Sequence, residues 1–173
     1  MKLSRLRVPL GYVVGVLVAL LARPRLMSVA AGMALALCGE ALRIWASGHI
    51  EKTERLATGG PYAHTRNPLY LGSALMGLGV AVASANVLAG LAVSAYFAVW
   101  YPAVIREESA FLAARFPEEY GAWARDVPAF LPVLHPSGPR ASRFDWGRVR
   151  TNREWRTAAA LPVAAALLTW GAL

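Results

Sequence analysis

Eight side chains able to do chemistry gather at two points of the chain. Tyr62, His64, Arg66, Asn67 and Tyr70 lie within "GGPYAHTRNPLYLG" (residues 59–72), and Arg106, Glu107 and Glu108 follow a long apolar stretch. Such types can bind an anion, pair with a cation, offer an aromatic face or take a proton. Each also has an ordinary use where a chain meets a membrane. Arginines and tyrosines anchor at the interface, and glutamates open a helix. No G-x-S-x-G, H-E-x-x-H, P-loop or G-x-G-x-x-G pattern occurs in the 173 residues, which excludes the common soluble motifs. Cys38 is the single cysteine and sits inside an apolar run, so there is no disulfide framework, and no metal site is expected.

The elements that must position these groups follow from where the charges are not. With 57% hydrophobic and only 16% charged residues at a net charge of +8, the charges cluster, and the intervening apolar runs predict a polytopic, all-α membrane protein. A spanning helix needs about 20 apolar residues. Residues 26–46 and 87–105 meet that length, and 8–22, 69–84 and 158–173 are shorter candidates, giving about five membrane helices in one domain. The first is expected to be retained rather than cleaved as a signal peptide, because Arg23 and Arg25 follow it directly. Arginine outnumbers lysine 16 to 2, and alanine and leucine abound, which hints at a bacterial source.

Residues 69–84 and 87–105 read as a hairpin turning at "SAN", Ser84 to Asn86. That turn brings Arg66 to Tyr70 and Arg106 to Glu108 to the same membrane face. The basic stretches Ser47 to Pro68 and Arg106 to Arg156 place this face in the cytoplasm by the positive-inside rule, although Arg23 and Arg25 run against the scheme. Pro68 suits the first turn of the third helix. Glu40 and Arg43, three apart in the second span, should face the bundle interior, either as a helix-locking pair or beside a substrate tunnel.

Beyond the hairpin, Glu107 to Trp123 predicts one cytoplasmic amphipathic helix, with Leu112, Phe116, Tyr120 and Trp123 on a stripe. His135 to Arg156 is an arginine-rich arm containing Arg140, Arg143, Arg148, Arg150, Arg153 and Arg156, interleaved with Trp146 and Trp155. Next to an apolar segment it is expected to rest on anionic headgroups rather than nucleic acid.

As an ordered set, G-P-Y, R-N-P-x-Y-x-G, the apolar hairpin, E-E, F-x-E-E-Y and V-P-A-F-L-P span about Glu54 to Pro132. The set resembles the integral-membrane methyltransferases that include isoprenylcysteine carboxyl methyltransferase and the phospholipid methyltransferases. The chain departs from the family at Asn67, where histidine is usual, and at Pro117, where glycine is usual; Ser109 holds a position that is often acidic.

The resemblance implies a helical membrane enzyme at the cytoplasmic face of a bacterial inner membrane. It would bind S-adenosylmethionine (SAM) and methylate a lipid-like or hydrophobic small-molecule acceptor, whether carboxylate, amine or thiol. Residues 54–132 would form the catalytic part. Arg66, Asn67 and the helix start at Pro68 and Leu69 would cradle the cofactor's carboxylate, Glu108 would take its ammonium or ribose, and Tyr62 and Tyr70 its ring or cation. Leu56, in the run Glu54 to Ala57, would pack on the adenosine side. Arg106 would position an anionic acceptor, and Glu107 or His64 would take a proton from an amine. Two alternatives remain: an NADPH-dependent reductase of the sterol reductase type, and a non-catalytic protein on the same scaffold.

Overall fold

The computed structural model describes residues 4–51, 55–136 and 142–170. Lys2, Glu54, Arg140 and the end of the last apolar run, through Leu173, lie outside the described residues. The described elements are helical: α1 (Ser4–Leu21), α2 (Leu26–Ser47), a 3-10 turn (Gly60–Ala63), α3 (Pro68–Ala83), α4 (Val87–Arg115), α5 (Pro117–Asp126), α6 (Trp146–Thr151) and α7 (Trp155–Trp170). Of these, α2 and α4 are long and apolar enough to cross a membrane, while Val8–Leu21 and Pro68–Ala83 are shorter apolar helices.

Packing orders the long helices α1, α4, α3, α2, α7. The broadest contact is α2 on α3, because Gly32 and Gly39 of one meet Gly79 and Gly72 of the other and let the backbones touch. Val18 of α1 packs with Ala89 and Val93 of α4. At one end of the bundle the two turns are tied together, with Arg23 N–H donating to the Ser84 carbonyl at 2.8 Å and Ser28 Oγ to the Ala83 carbonyl at 3.1 Å. Asn86 caps α4 by accepting from Leu88 and Ala89 N–H. Those bonds hold the hairpin turn where "SAN" predicts it, so the start of α3 and the polar part of α4 share the opposite end.

One expected element is corrected. Glu107 to Trp123 is not one amphipathic helix: α4 runs on through Arg106, Glu107 and Glu108 to Arg115, and a new helix starts at Pro117. Charged residues of good helix propensity do not stop a helix. Pro117 does, since it lacks an N–H and pushes Phe116 out of the helical region, to φ −133° and ψ 63°. The predicted stripe survives the break. Tyr120 and Trp123 are buried with Tyr62, Ala46 and Val127, and Leu112 and Phe116 pack on the same cluster.

The arginine-rich arm makes a contact within the protein that its composition does not announce. Its described part docks on the end of α2: the Phe144 ring lies 5.9 Å from that of His49, and Asp145 N–H donates to the Gly48 carbonyl at 3.0 Å. Trp146 and Trp155 stay exposed. Glu40 and Arg43 face inward as expected, Glu40 being 4% exposed.

Candidate functional site

The loop before α3 is held by hydrogen bonds rather than by regular structure. Pro61 is the second residue of the 3-10 turn, which buries Tyr62, and Trp123 Nε1 donates to the Tyr62 carbonyl at 3.0 Å. Downstream, Val127 to Val133, the V-P-A-F-L-P stretch with the valine that follows it, lies along this loop as a strap. Arg66 N–H donates to the Pro128 carbonyl (2.9 Å), Thr65 Oγ1 to the Phe130 carbonyl (2.9 Å) and Val133 N–H to the His64 carbonyl (3.0 Å). His64 Nδ1 lies 2.7 Å from the Val133 carbonyl. Four polar residues of the opening motif thus hold the loop in place, since Asn67 Nδ2 also donates to the Ala129 carbonyl at 2.7 Å.

That last bond yields a prediction. Asn67→Ala leaves a half-buried carbonyl without its donor, at a cost of about 1 to 2 kcal/mol. The thermal midpoint of the detergent-solubilised protein should fall, and Asn67→Asp, which turns a carboxylate toward the carbonyl, should fall further. Unaltered midpoints in both variants would sink the strap assignment.

Three cavities open beside this loop. The first, about 330 Å3, is lined by Tyr62, Arg66, Asn67, Pro68, Leu69 and Tyr70 from the loop and α3, by Arg43 and Ile50, and by Tyr101 and Glu108 of α4. The second, about 250 Å3, includes Leu56, Glu51, Arg55, Phe111, Arg115 and Trp123. Ile50, Tyr62, Arg66 and Glu108 line both, so the two adjoin as one groove. A third cavity, about 640 Å3, is mostly apolar, walled by Phe97, Ile105 and Phe130 among others; Arg106 is the charged residue lining it, and Tyr101 is shared with the first. Glu107 and His64 line none of the three.

The hairpin brings its two polar clusters into contact: Tyr70 Oη donates to Glu108 Oε2 at 2.7 Å. On the other side of the groove Arg66 Nη1 donates to Tyr120 Oη at 3.0 Å, yet its Nε is buried and has no hydrogen-bond partner among the described residues. A buried, unmatched guanidinium N–H on a cavity wall is a donor prepared for an anion. Burial first, and then the charge of Glu108, pushes the Tyr62 hydroxyl well above the usual tyrosine range, so it stays a neutral donor at any physiological pH. Arg43, at the back of the first cavity, reaches Ser73 Oγ at 2.5 Å and the Leu69 carbonyl at 3.3 Å, and forms an ion pair with Glu154 at 2.6 Å.

Tyr101 is a lining residue that reading the sequence missed. Its signal was present, because Tyr101 and Glu108 are seven apart, two turns of one helix face. The bonding of the strap and the Arg43–Glu154 pair had no such signal.

Comparison with known proteins adds context to this geometry. The family model described as phospholipid methyltransferase matches residues 27–119, more than half of the chain. Among curated proteins, the cobalt-zinc-cadmium resistance protein CzcN of Cupriavidus metallidurans is 45% identical over 107 residues, covering 60% of this chain and 47% of that protein. The nickel-cobalt-cadmium resistance protein NccN of Alcaligenes xylosoxydans xylosoxydans is 42% identical over 96 residues, 53% of this chain and 44% of that protein. The matches span about half the length of these relatives. No solved structure matches the chain.

Proposed function

Because the chain belongs to the phospholipid methyltransferase family of membrane methyltransferases, we propose that it transfers a methyl group from S-adenosylmethionine to a lipid-like or hydrophobic acceptor. The observation that carries this reading is the adjoining pair of cavities, whose shared walls set the unmatched Arg66 Nε beside Glu108 and Tyr62. That donor set fits a zwitterionic nucleoside. A carboxylate suits Arg66 and the N–H groups at the start of α3, an ammonium or ribose hydroxyl suits Glu108, and adenine suits the Leu56, Phe111 and Trp123 side.

When bound, the cofactor supplies an electrophilic methyl on a sulfonium; the chain's own residues align the partners and keep water out. Tyr70 fixes the Glu108 carboxylate, and the proline-rich loop, held by its strap, loses little freedom on binding. The acceptor occupies the apolar third cavity, which meets the first at Tyr101, with Arg106 positioning an anionic end. A carboxylate or thiolate acceptor fits this lining better than an amine, because Glu107 and His64, the candidate bases, stand off it. In this reading the groove faces the cytoplasm at a bacterial inner membrane, with anionic headgroups around the exposed tryptophans. The resistance named for the two relatives suits an enzyme that modifies a membrane component. Among the described residues no three His, Cys, Asp or Glu come together as metal ligands.

Calorimetric titration of the purified protein with S-adenosylhomocysteine, with NADPH as the control, tests the reading. Saturable binding of the first alone supports it; binding of NADPH alone indicates a reductase, and binding of neither a non-catalytic scaffold. Arg106→Ala is expected to lower turnover by roughly a hundredfold while S-adenosylhomocysteine affinity stays within about threefold, since misplacing an acceptor costs rate rather than cofactor binding. Loss of cofactor binding in that variant would move Arg106 out of the acceptor role.

A further inference from the structure

Both cofactor cavities are lined by residues of the segment 43–51, namely Arg43, Ile50 and Glu51. Each of these is gripped from behind by the stretch that leads into α7, downstream of the residues the family model matches. Glu154 accepts from Arg43 Nε at 2.7 Å and pairs with its Nη2 at 2.6 Å. Asn152 Nδ2 donates to the Ile50 carbonyl at 3.3 Å and to the Ser47 carbonyl at 2.9 Å. Arg148 forms an ion pair with Glu51. The stretch also reaches the loop before α3, where a Cβ on Gly59 would stand 2.5 Å from Ser142 Oγ.

The local backbone is shaped to deliver these groups. Arg153 sits at φ +59°, a left-handed conformation that a residue with a side chain adopts only when its surroundings enforce it. That residue turns the chain between α6 and α7, and its neighbour Glu154, 6% exposed, drops onto Arg43. Without Glu154, Arg43 would keep Glu40, 3.7 Å away, as its nearest acid among the described residues. The guanidinium would then be drawn along α2 and away from Ser73 and Leu69 on the cavity wall.

We propose that residues 142–154 form a back wall of the cofactor site, with Glu154, Asn152 and Arg148 as positioning residues that hold Arg43, Ile50 and Glu51 in place. The proposal rests on the reading of the groove as a SAM site. A grip released by one of these side chains allows a lining residue to shift, and shifts of about 1 Å in a binding wall are costly.

Two measurements on the full chain test it. Titration with S-adenosylhomocysteine should give a dissociation constant raised roughly tenfold in Glu154→Ala and about threefold in Arg148→Ala, with Glu154→Asp recovering most of the loss. Arg148 is partly exposed, so its variant remains informative if Glu154→Ala fails to fold. In the unaltered protein, S-adenosylhomocysteine should slow amide hydrogen exchange across Phe144 to Glu154, an effect that a merely structural tie far from the ligand would not produce. If the unaltered chain binds the probe but exchange in this stretch is unchanged and Arg148→Ala binds equally well, the back wall is overturned alone. If the unaltered chain does not bind, the SAM reading falls and the proposal falls with it.

Discussion

Glu108→Gln is expected to weaken S-adenosylhomocysteine binding by roughly 30-fold, about 2 kcal/mol, the scale of one hydrogen bond to a charged group. The substitution keeps the size of the side chain and an oxygen to accept from Tyr70, and removes the charge alone. Glu108 lines both cavities, on the side of the groove where Tyr70 Oη approaches at 2.7 Å. Two arginines, Arg43 and Arg66, line the first cavity with it, so Glu108 is the group there that can balance a cationic ligand. Tyr70→Phe, which leaves the charge but frees the carboxylate to rotate, should cost less, about fivefold, or 1 kcal/mol. The order matters more than the size. Calorimetry in which Tyr70→Phe loses more affinity than Glu108→Gln would mean that the tyrosine ring, not the carboxylate, holds the ligand. Equal affinity of both variants and the unaltered protein would remove this pair from the site.

The comparison between these two residues also shows what can be read without a structure. Tyr70 and Glu108 could be paired in advance because two apolar runs joined by three uncharged residues have few ways to fold other than as a hairpin, and a hairpin brings its ends together. The end of α4 could not be read in the same way. Arg106 to Glu108 mark a change in composition, but backbone hydrogen bonding ignores charge and the helix ends only where Pro117 removes a donor. His64, offered as a proton acceptor, and Asn67, offered as a cofactor contact, each have a polar atom turned to a strap carbonyl, and Asn67 also lines the first cavity. Any residue offers a carbonyl, so the strap leaves no imprint in side-chain types. The arm was hidden for another reason. Its arginines dominate its composition, and of the residues that dock it Phe144, Asn152 and Glu154 are a minority among them, while Arg148, which also docks, looks like any other arginine of the arm.

The largest effect on stability should come from the glycines between α2 and α3. Gly39 and Gly72 oppose each other so closely that a Cβ on Gly39 would lie 2.5 Å from the Gly72 carbonyl oxygen, and one on Gly72 would lie 2.6 Å from that of Gly39. Seven residues away on each helix, a Cβ on Gly79 would meet the Gly32 carbonyl at 2.5 Å. A backbone carbonyl stands in the way in every case, so the movement of a side chain cannot relieve the clash. Gly39→Ala or Gly79→Ala must push the helices apart along their broadest contact, at an expected cost of about 3 kcal/mol, the upper range for overpacking. Gly90→Ala on α4, where nothing lies within 4 Å, is the control: it should be neutral or gain up to about 1 kcal/mol from helix propensity. Unfolding of the detergent-solubilised variants by circular dichroism reads the difference, and a Gly39→Ala protein as stable as Gly90→Ala would refute the close contact. The consequence reaches the site. A Cβ on Gly72 would come within 2.6 Å of Arg43 Cγ, so it is the missing side chain at Gly72 that lets Arg43 pass across α3 to Ser73 and Leu69. In lipid, where the hydrophobic effect does not draw helices together, such close packing is one of the sources of their affinity, with interhelical hydrogen bonds and lipid entropy. Gly72, one of the glycines that hold α2 to α3, therefore also leaves the room in which the groove's rear arginine stands.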